Sequence, residues 1–164
     1  MQPPPFTIRL AMPADCDRIA NIYNEYLGKS TMDLSPKTGD DYRQQMQEMD
    51  DREMMLVLDD GETVTGWGVL KKYSPREGYR FTGETSVYLD PGFLGRGLGK
   101  RLKLELIEKA RNLGYKHLVA RINSNNETSI GYNLKLGYEW VGIQKMVGNV
   151  NGKWLDVAIL QLIL

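Results

Sequence analysis

TSVYLDPGFLGRGLGKRLKLELIEKARNL, residues 85–113, is the stretch whose reading decides the fold. Thr85 to Leu89 completes a strand-like run that begins near Tyr79, and Asp90-Pro91 ends it. From Gly97 the pattern changes to helical spacing. Leu98, Leu102, Leu106, Ala110 and Leu113 form an apolar stripe, with lysines, arginines and glutamates assigned to the opposite side. Gly114 closes the helix as a C-terminal glycine. Between strand and helix, glycines at 95, 97 and 99 remove side chains where backbone N–H groups would close on a ligand. The positive end of the helix points at that turn, and Arg96 and Lys100 add charge. The pattern predicts a cradle for a diphosphate, against the plainer reading of a turn with flexible glycines.

Two familiar phosphate motifs fail here. A P-loop needs Gly-x-x-x-x-Gly-Lys-Ser/Thr, but Leu94 stands at the first glycine of the Gly99-Lys100 pair and Arg101 at the hydroxyl position. A dinucleotide fingerprint needs Gly-x-Gly-x-x-Gly, and neither glycine start reaches a third glycine at that spacing.

Outward from this unit, the chain reads as a mixed α/β domain over residues 1–164. Phe6 to Leu10 is a short strand, Pro13 and Asp15 open a helix to Leu27, and Asp40 to Met49 is a weaker helix. Met54–Leu58 and Val64–Tyr73 are strands joined at the Asp59-Asp-Gly61 turn, and Tyr79–Leu89 follows. After the long helix come a strand over His117–Ile122, a helix over Asn126–Leu136, and two strands, Tyr138–Met146 and Lys153–Leu164, around Asn149-Val-Asn-Gly152.

Twenty-one basic residues balance 21 acidic ones, which argues against nucleic acid or an anionic membrane as the main partner. No apolar run is long enough to span a bilayer, and residues 1–6 lack the basic and apolar regions of a signal peptide. Lone Cys16 fits a reducing, cytoplasmic compartment. With one cysteine and one histidine, His117 in a strand, neither a zinc site of the usual composition nor a Ser-His-Asp triad is expected.

Val87-Tyr-Leu-Asp-Pro-x-x-x-Gly-x-Gly-x-Gly resembles the acetyl-CoA motif of the Gcn5-related N-acetyltransferases. More narrowly the chain is similar to the phosphinothricin and methionine sulfoximine acetyltransferases. It does so through Ile22-Tyr-Asn24, Arg76-x-Gly-Tyr-Arg80, Glu84-x-Ser-Val-Tyr88, Val119-Ala-x-Ile122, Asn126-x-x-Ser-Ile130, Leu136-Gly-Tyr138, Val147-Gly148 and Trp154-Leu-Asp156. The resemblance implies a mostly antiparallel sheet of about seven strands, four flanking helices and a splayed central strand pair. It also implies acetyl-CoA as co-substrate, no metal, a small amine as acceptor, and a homodimer. Val87, Tyr88 and Leu89 would pair with the pantetheine arm, and Gly95, Arg96, Gly97, Leu98, Gly99 and Lys100 would hold the diphosphate. Asn126 and Ser129 would contact the CoA arm, unless helix capping is their whole role. Glu84 would be the general base, directly or through water, unless it is a solvated strand-end glutamate. Arg76 and Arg80 would hold a substrate carboxylate, against the reading of two solvated loop arginines.

The acid is less well marked. The family places histidine or tyrosine where this chain has Asn133, and Tyr132 points about 100° away on an ideal helix, which favours a cleft-wall role. Two further departures are Leu94, where the family starts its loop with glutamine or arginine, and Val150-Asn151, where it has Lys-Phe. Trp154 and Met46, Met49, Met54 and Met55 are assigned to the core or the cleft lining. An acceptor amine on a peptide or protein remains the alternative substrate, and a CoA-binding module without catalysis the alternative class.

Overall fold

A computed structural model describes residues 5–164. Residues 1–4, on which the expectation about a signal peptide partly rests, lie outside the described residues. The elements run β1 (Thr7–Leu10), α1 (Cys16–Asn24), α2 (Gly39–Glu48), β2 (Met54–Asp59), β3 (Val64–Lys72) and β4 (Thr82–Leu89). They continue with α3 (Leu98–Asn112), β5 (His117–Asn123), α4 (Glu127–Lys135), β6 (Glu139–Val150) and β7 (Lys153–Ile163). The seven strands form one sheet in the order β1-β2-β3-β4-β5-β7-β6. Only β4 and β5 run parallel, because α3 is the crossover between them.

The sheet buries both faces. On one, α1 and α2 pack over Met55, Val57, Trp67 and Val69. On the other, α3 and α4 cover Leu56, Leu70, Leu118 and Leu160 with Leu102, Leu106 and Ile130. Each leucine so buried stabilises the fold by about 1.5–3 kcal/mol.

Three local features differ from the sequence pattern. β4 starts at Thr82 rather than Tyr79, because Glu77–Tyr79 closes a 3-10 turn around Gly78. β6 runs on to Val150, past an irregular register between Gln144 and Gly148 where Met146 takes φ 54°. The hairpin loop is then Asn151-Gly152 alone, both residues left-handed (φ 53° and 82°), as a two-residue turn of this hand requires. Thirdly, Lys103 is not on the solvent side of α3: it is 2% exposed and lies among the apolar residues.

The edge of the sheet is tied by charge. Arg9 donates to both carboxylate oxygens of Asp15 at 2.8 and 3.0 Å and to Asp59 at 3.0 and 3.2 Å. The Met12 N–H adds a bond to Asp15 at 2.7 Å. Together these hold the Asp15 carboxyl below its ordinary 3.8, the Arg9 bond first and the Met12 N–H after it, against the opposing effect of burial. A depressed carboxyl contributes stability above its unfolded pKa and loses it as pH falls through the folded value. Asp15→Asn should therefore lower stability by about 2 kcal/mol at pH 7, with the gap to the parent narrowing below pH 3.8. Urea melts of both proteins at pH 7 and pH 3 check this; a gap that does not narrow excludes the charge as its source.

Candidate active site

β4 and β5 are paired only from Thr82–Glu84 against His117–Val119. Beyond Glu84 they diverge, so Ser86 to Leu89 keeps β3 on one side and has no strand on the other. The gap lies at the carboxyl end of the parallel pair, where α/β sheets place their ligands.

The glycine-rich turn sits above this gap. Asp90 caps the turn over Pro91–Phe93 by accepting from the Gly92 N–H at 2.9 Å, and Arg18 bonds the same carboxylate. Gly97 is the residue before α3, at φ 72°, and Gly95 has φ 78°. Their glycine identity is therefore required by the backbone, which aims the first N–H groups of α3 outward with no intrahelical acceptor. A Cβ on either would meet nothing within 4 Å, so the cradle is open to solvent. Arg96 lies over the Phe93 ring at 5.1 Å, and Arg96 and Lys100 are exposed at its rim.

Below the cradle a groove of about 380 Å³ runs between Tyr26, Val87, Leu89, Leu94, Gly99 and Tyr132. Leu94, 53% exposed, contributes an apolar wall here rather than a polar contact. Asn126 accepts from the Ser129 N–H at 3.2 Å, so it does cap α4; both residues also line the groove, and the two readings coexist.

On the other side of the sheet a cavity of about 350 Å³ is bounded by Tyr23, Asp33, Lys71, Glu84, Arg121 and Gln144. Glu84 shares this face with Ser86 and Tyr88, as strand alternation requires. It is not a solvated strand end: its side chain is 16% exposed and faces Arg121 across the gap at 3.4 Å. The groove and the cavity meet at a third, small space of about 70 Å³ lined by Ser86, Val87, Tyr88, Lys103, Tyr132 and Asn133. Cradle, groove, junction and the cavity at Glu84 are continuous through shared residues. The model of the acetyltransferase (GNAT) family matches residues 17–138.

The chain belongs to the GNAT acetyltransferase family.

Its relatives include an L-methionine sulfoximine/L-methionine sulfone acetyltransferase of Salmonella typhimurium, 36% identical over 95% of this chain and 93% of that one. A ribosomal-protein-alanine N-acetyltransferase from Brucella melitensis superposes with a TM-score of 0.92 at 32% identity, over 96% of this chain and 99% of the other. A phosphinothricin acetyltransferase from Sinorhizobium meliloti, solved in complex with AcCoA, gives 0.90 at 30% identity over 97% and 88%.

Within this GNAT frame Tyr132 and Asn133 both line the junction, and only Tyr132 also borders the groove. Tyr132 borders both the groove and the junction, with its hydroxyl 3.5 Å from Ser129 Oγ. Burial pushes that hydroxyl up from its ordinary range, and pushes Tyr88 up to about 12, so both keep their protons at neutral pH. Asn133 is 1% exposed; its Nδ2 donates to the Ser129 carbonyl at 2.8 Å and its Oδ1 has no partner.

Arg76 and Arg80 are not gathered with Glu84. Both are exposed on the loop before β4, where Arg80 lies over Phe81 at 4.4 Å and donates to the Glu77 carbonyl at 3.2 Å. The guanidinium in the cavity beside Glu84 is that of Arg121, which the sequence pattern left unmarked. Its signal was a single charge inside the apolar run of β5. Trp154 also departs from expectation: it is 58% exposed, beside Asp156, which accepts from Met146 N–H at 2.8 Å and from Lys145. The four methionines do pack against the core. Among the described residues no cluster of metal ligands occurs, and no helix is long and apolar enough to cross a membrane.

Proposed function

We propose that the chain transfers the acetyl group of acetyl-CoA to the primary amine of a small amino acid or amino-acid analogue, of the methionine sulfoximine or phosphinothricin kind. One observation carries the substrate class: Glu84 and Arg121 oppose each other at 3.4 Å in a cavity of about 350 Å³. An amino acid presents an ammonium and a carboxylate a few ångströms apart, and this pair offers each its complement.

The residues present fit CoA. The open cradle at Gly95–Lys100, including the N–H groups of Leu98 and Gly99 with Arg96 alongside, suits a diphosphate. The edge of Val87, Tyr88 and Leu89, which no strand pairs and where only the Leu89 carbonyl is taken, by the Tyr26 hydroxyl, suits an amide-bearing arm that adds like a strand, with Asn126 and Ser129 opposite. When bound, acetyl-CoA supplies an acetyl group activated as a thioester. Glu84 takes the proton of the substrate ammonium, and a backbone N–H near Tyr88 or Leu89 donates to the developing oxyanion. The Tyr132 hydroxyl, protonated and inside the cleft, orders the donor side. Arg121 holds the substrate carboxylate. Arg76 and Arg80 attract it at the rim, on the loop bordering the cavity of Tyr73, Tyr79 and Arg121.

We treat residues 1–164 as one acetyltransferase domain, working in the cytoplasm as a homodimer. Supporting the dimer, Trp140, Val141, Ile143, Met146, Val147 and Trp154 on the terminal hairpin are each 45–59% exposed, an apolar face that a second copy would cover.

CoA release, followed with DTNB across amino acids including methionine sulfoximine and phosphinothricin, tests the reading. Turnover is expected with the free amino acids, and amidation of the carboxylate should lower kcat/KM by about 10–100-fold. No turnover with any of them, together with acetylation of alanine-terminated peptides, transfers the assignment to peptide amines.

A further inference from the structure

Two polar atoms at the junction, Lys103 Nζ and Asn133 Oδ1, have no hydrogen-bond partner among the described residues. Lys103 is 2% exposed, yet among the described residues it makes no ion pair and no side-chain hydrogen bond. Its Nζ stands 4.9 Å over the Tyr138 ring, whose hydroxyl is 3.2 Å from Thr85 Oγ1. Asn133 Oδ1 is the second unpartnered group. Both side chains reach the 70 Å³ junction from the helix-covered face, while Ser86 and Arg121 border it from the face that carries Glu84. The junction shares Val87, Tyr88, Ser129 and Tyr132 with the groove, and Ser86, Tyr88 and Arg121 with the acceptor cavity. A thioester that reaches from one to the other has its sulfur here. The space also holds more than one water, at about 10–15 Å³ each.

A lone ammonium removed from water destabilises a fold, and a leucine or methionine would fill the same helical position without that penalty. We propose that Lys103 is the proton donor to the departing thiolate, the role the Asn133 amide cannot fill. This rests on the acetyl-transfer reading above. In the step, Glu84 first takes the ammonium proton and passes it to solvent. The neutral amine then bonds through its nitrogen to the acetyl carbon, and the surplus proton on that nitrogen leaves to water. The C–S bond breaks with its electron pair on sulfur, and a proton passes from Lys103 Nζ to that sulfur, directly or through a junction water. Lys103 is left as a neutral amine and regains a proton from solvent.

The groups facing Lys103 are Glu84 and Tyr88 on β4, Arg121 on β5, Tyr132 on α4 and Tyr138 beyond it. The three tyrosines are pushed up by burial and stay neutral, so only Glu84 and Arg121 bring charge. Burial pushes Lys103 down to about 7, opposed by the Glu84 charge. An acid with that value is both charged enough to donate and readily recharged at neutral pH.

Lys103→Met, beside the parent, tests this in two ways. First, the thiol of bound CoA is titrated through the ultraviolet absorbance of its thiolate, with no substrate present. In the parent the thiolate should appear about one pH unit below free CoA, and in K103M at no lower pH than free CoA. Secondly, kcat of K103M should fall about 10-fold at pH 7. Its decline with rising pH above about 7 should be lost, while KM for acetyl-CoA holds. A bound thiol that titrates alike in both proteins overturns the proposal, as does a kcat loss equal at every pH. A shifted thiol in a parent that acetylates no amine leaves Lys103 standing and removes the substrate reading. Should K103M not fold, ¹⁵N titration of Lys103 Nζ in the parent decides: CoA must raise its pKa, and no change overturns the role.

Discussion

Glu84→Gln is expected to lower kcat at neutral pH by about 100-fold, within the usual 10²–10⁴ range for a positioned general base. The amide keeps the shape and the strand position but cannot take the ammonium proton. Because the base is needed only while the substrate amine is protonated, the deficit should shrink as pH rises towards the amine's own pKa. Acetyl-CoA affinity should hold within about twofold, since the groove and cradle lie on the far side of the junction from Glu84. Stability should change little: the Glu84 partner, Arg121, is 47% exposed, and such pairs contribute about 0–1 kcal/mol. Steady-state kinetics from pH 6 to 10 and a CoA melting shift read all three. Near-parental turnover of E84Q at pH 7 would remove Glu84 as the base. A chain that merely binds CoA would show the melting shift and no turnover in either protein.

Lys103→Met should stabilise the free protein at and below neutrality by about 3 kcal/mol, an unusual sign for a core substitution. The direction follows from linkage. The folded lysine titrates near 7 rather than at its ordinary 10.5, so between those values the unfolded chain holds a proton that the folded one does not. Parental stability therefore rises across that window, and below it the full penalty of the buried ammonium is present. At about 1.4 kcal/mol per pH unit the shift spans more than the predicted gain, which allows for relaxation of the pocket. The advantage of K103M should fade as pH approaches 10. Urea midpoints at pH 6, 8 and 10 are decisive: a loss of stability, or a gain that does not vary with pH, would mean that Lys103 is not a destabilised charge. Stabilisation with slower turnover is the usual trade at a working site.

The order of elements was legible because α3, β4 and the turn between them carry strong periodicities, and the antiparallel strands before them are joined by short turns. The cradle was legible for the same reason: Gly95 and Gly97 are demanded by local backbone geometry. The acceptor side was not. Arg121 and Lys103 are charged residues inside otherwise apolar runs, and a periodic pattern assigns such residues to solvent by default. Whether they face solvent depends on which strands separate and which helix lies beneath, contacts between residues far apart in the chain. For Arg76 and Arg80 the motif is local, whereas the 3-10 turn over Glu77–Tyr79 keeps both on the exposed loop before β4, outside the lining of the Glu84 cavity. Trp154 was misplaced because β7 is flanked by β6, whose irregular half leaves that end of the hairpin uncovered.

Ser86 to Leu89 is a strand with one bare flank, and bare flanks are ordinarily where unrelated chains stick and fibrils begin. Here the flank is at mid-sheet, roofed by α4 and closed at its base by the three paired residues of β4 and β5. A slender amide-bearing thread can enter such a socket; a neighbouring polypeptide with its side chains cannot. The fold thus keeps a permanently adhesive surface for one small molecule while hiding it from every other protein in the cell.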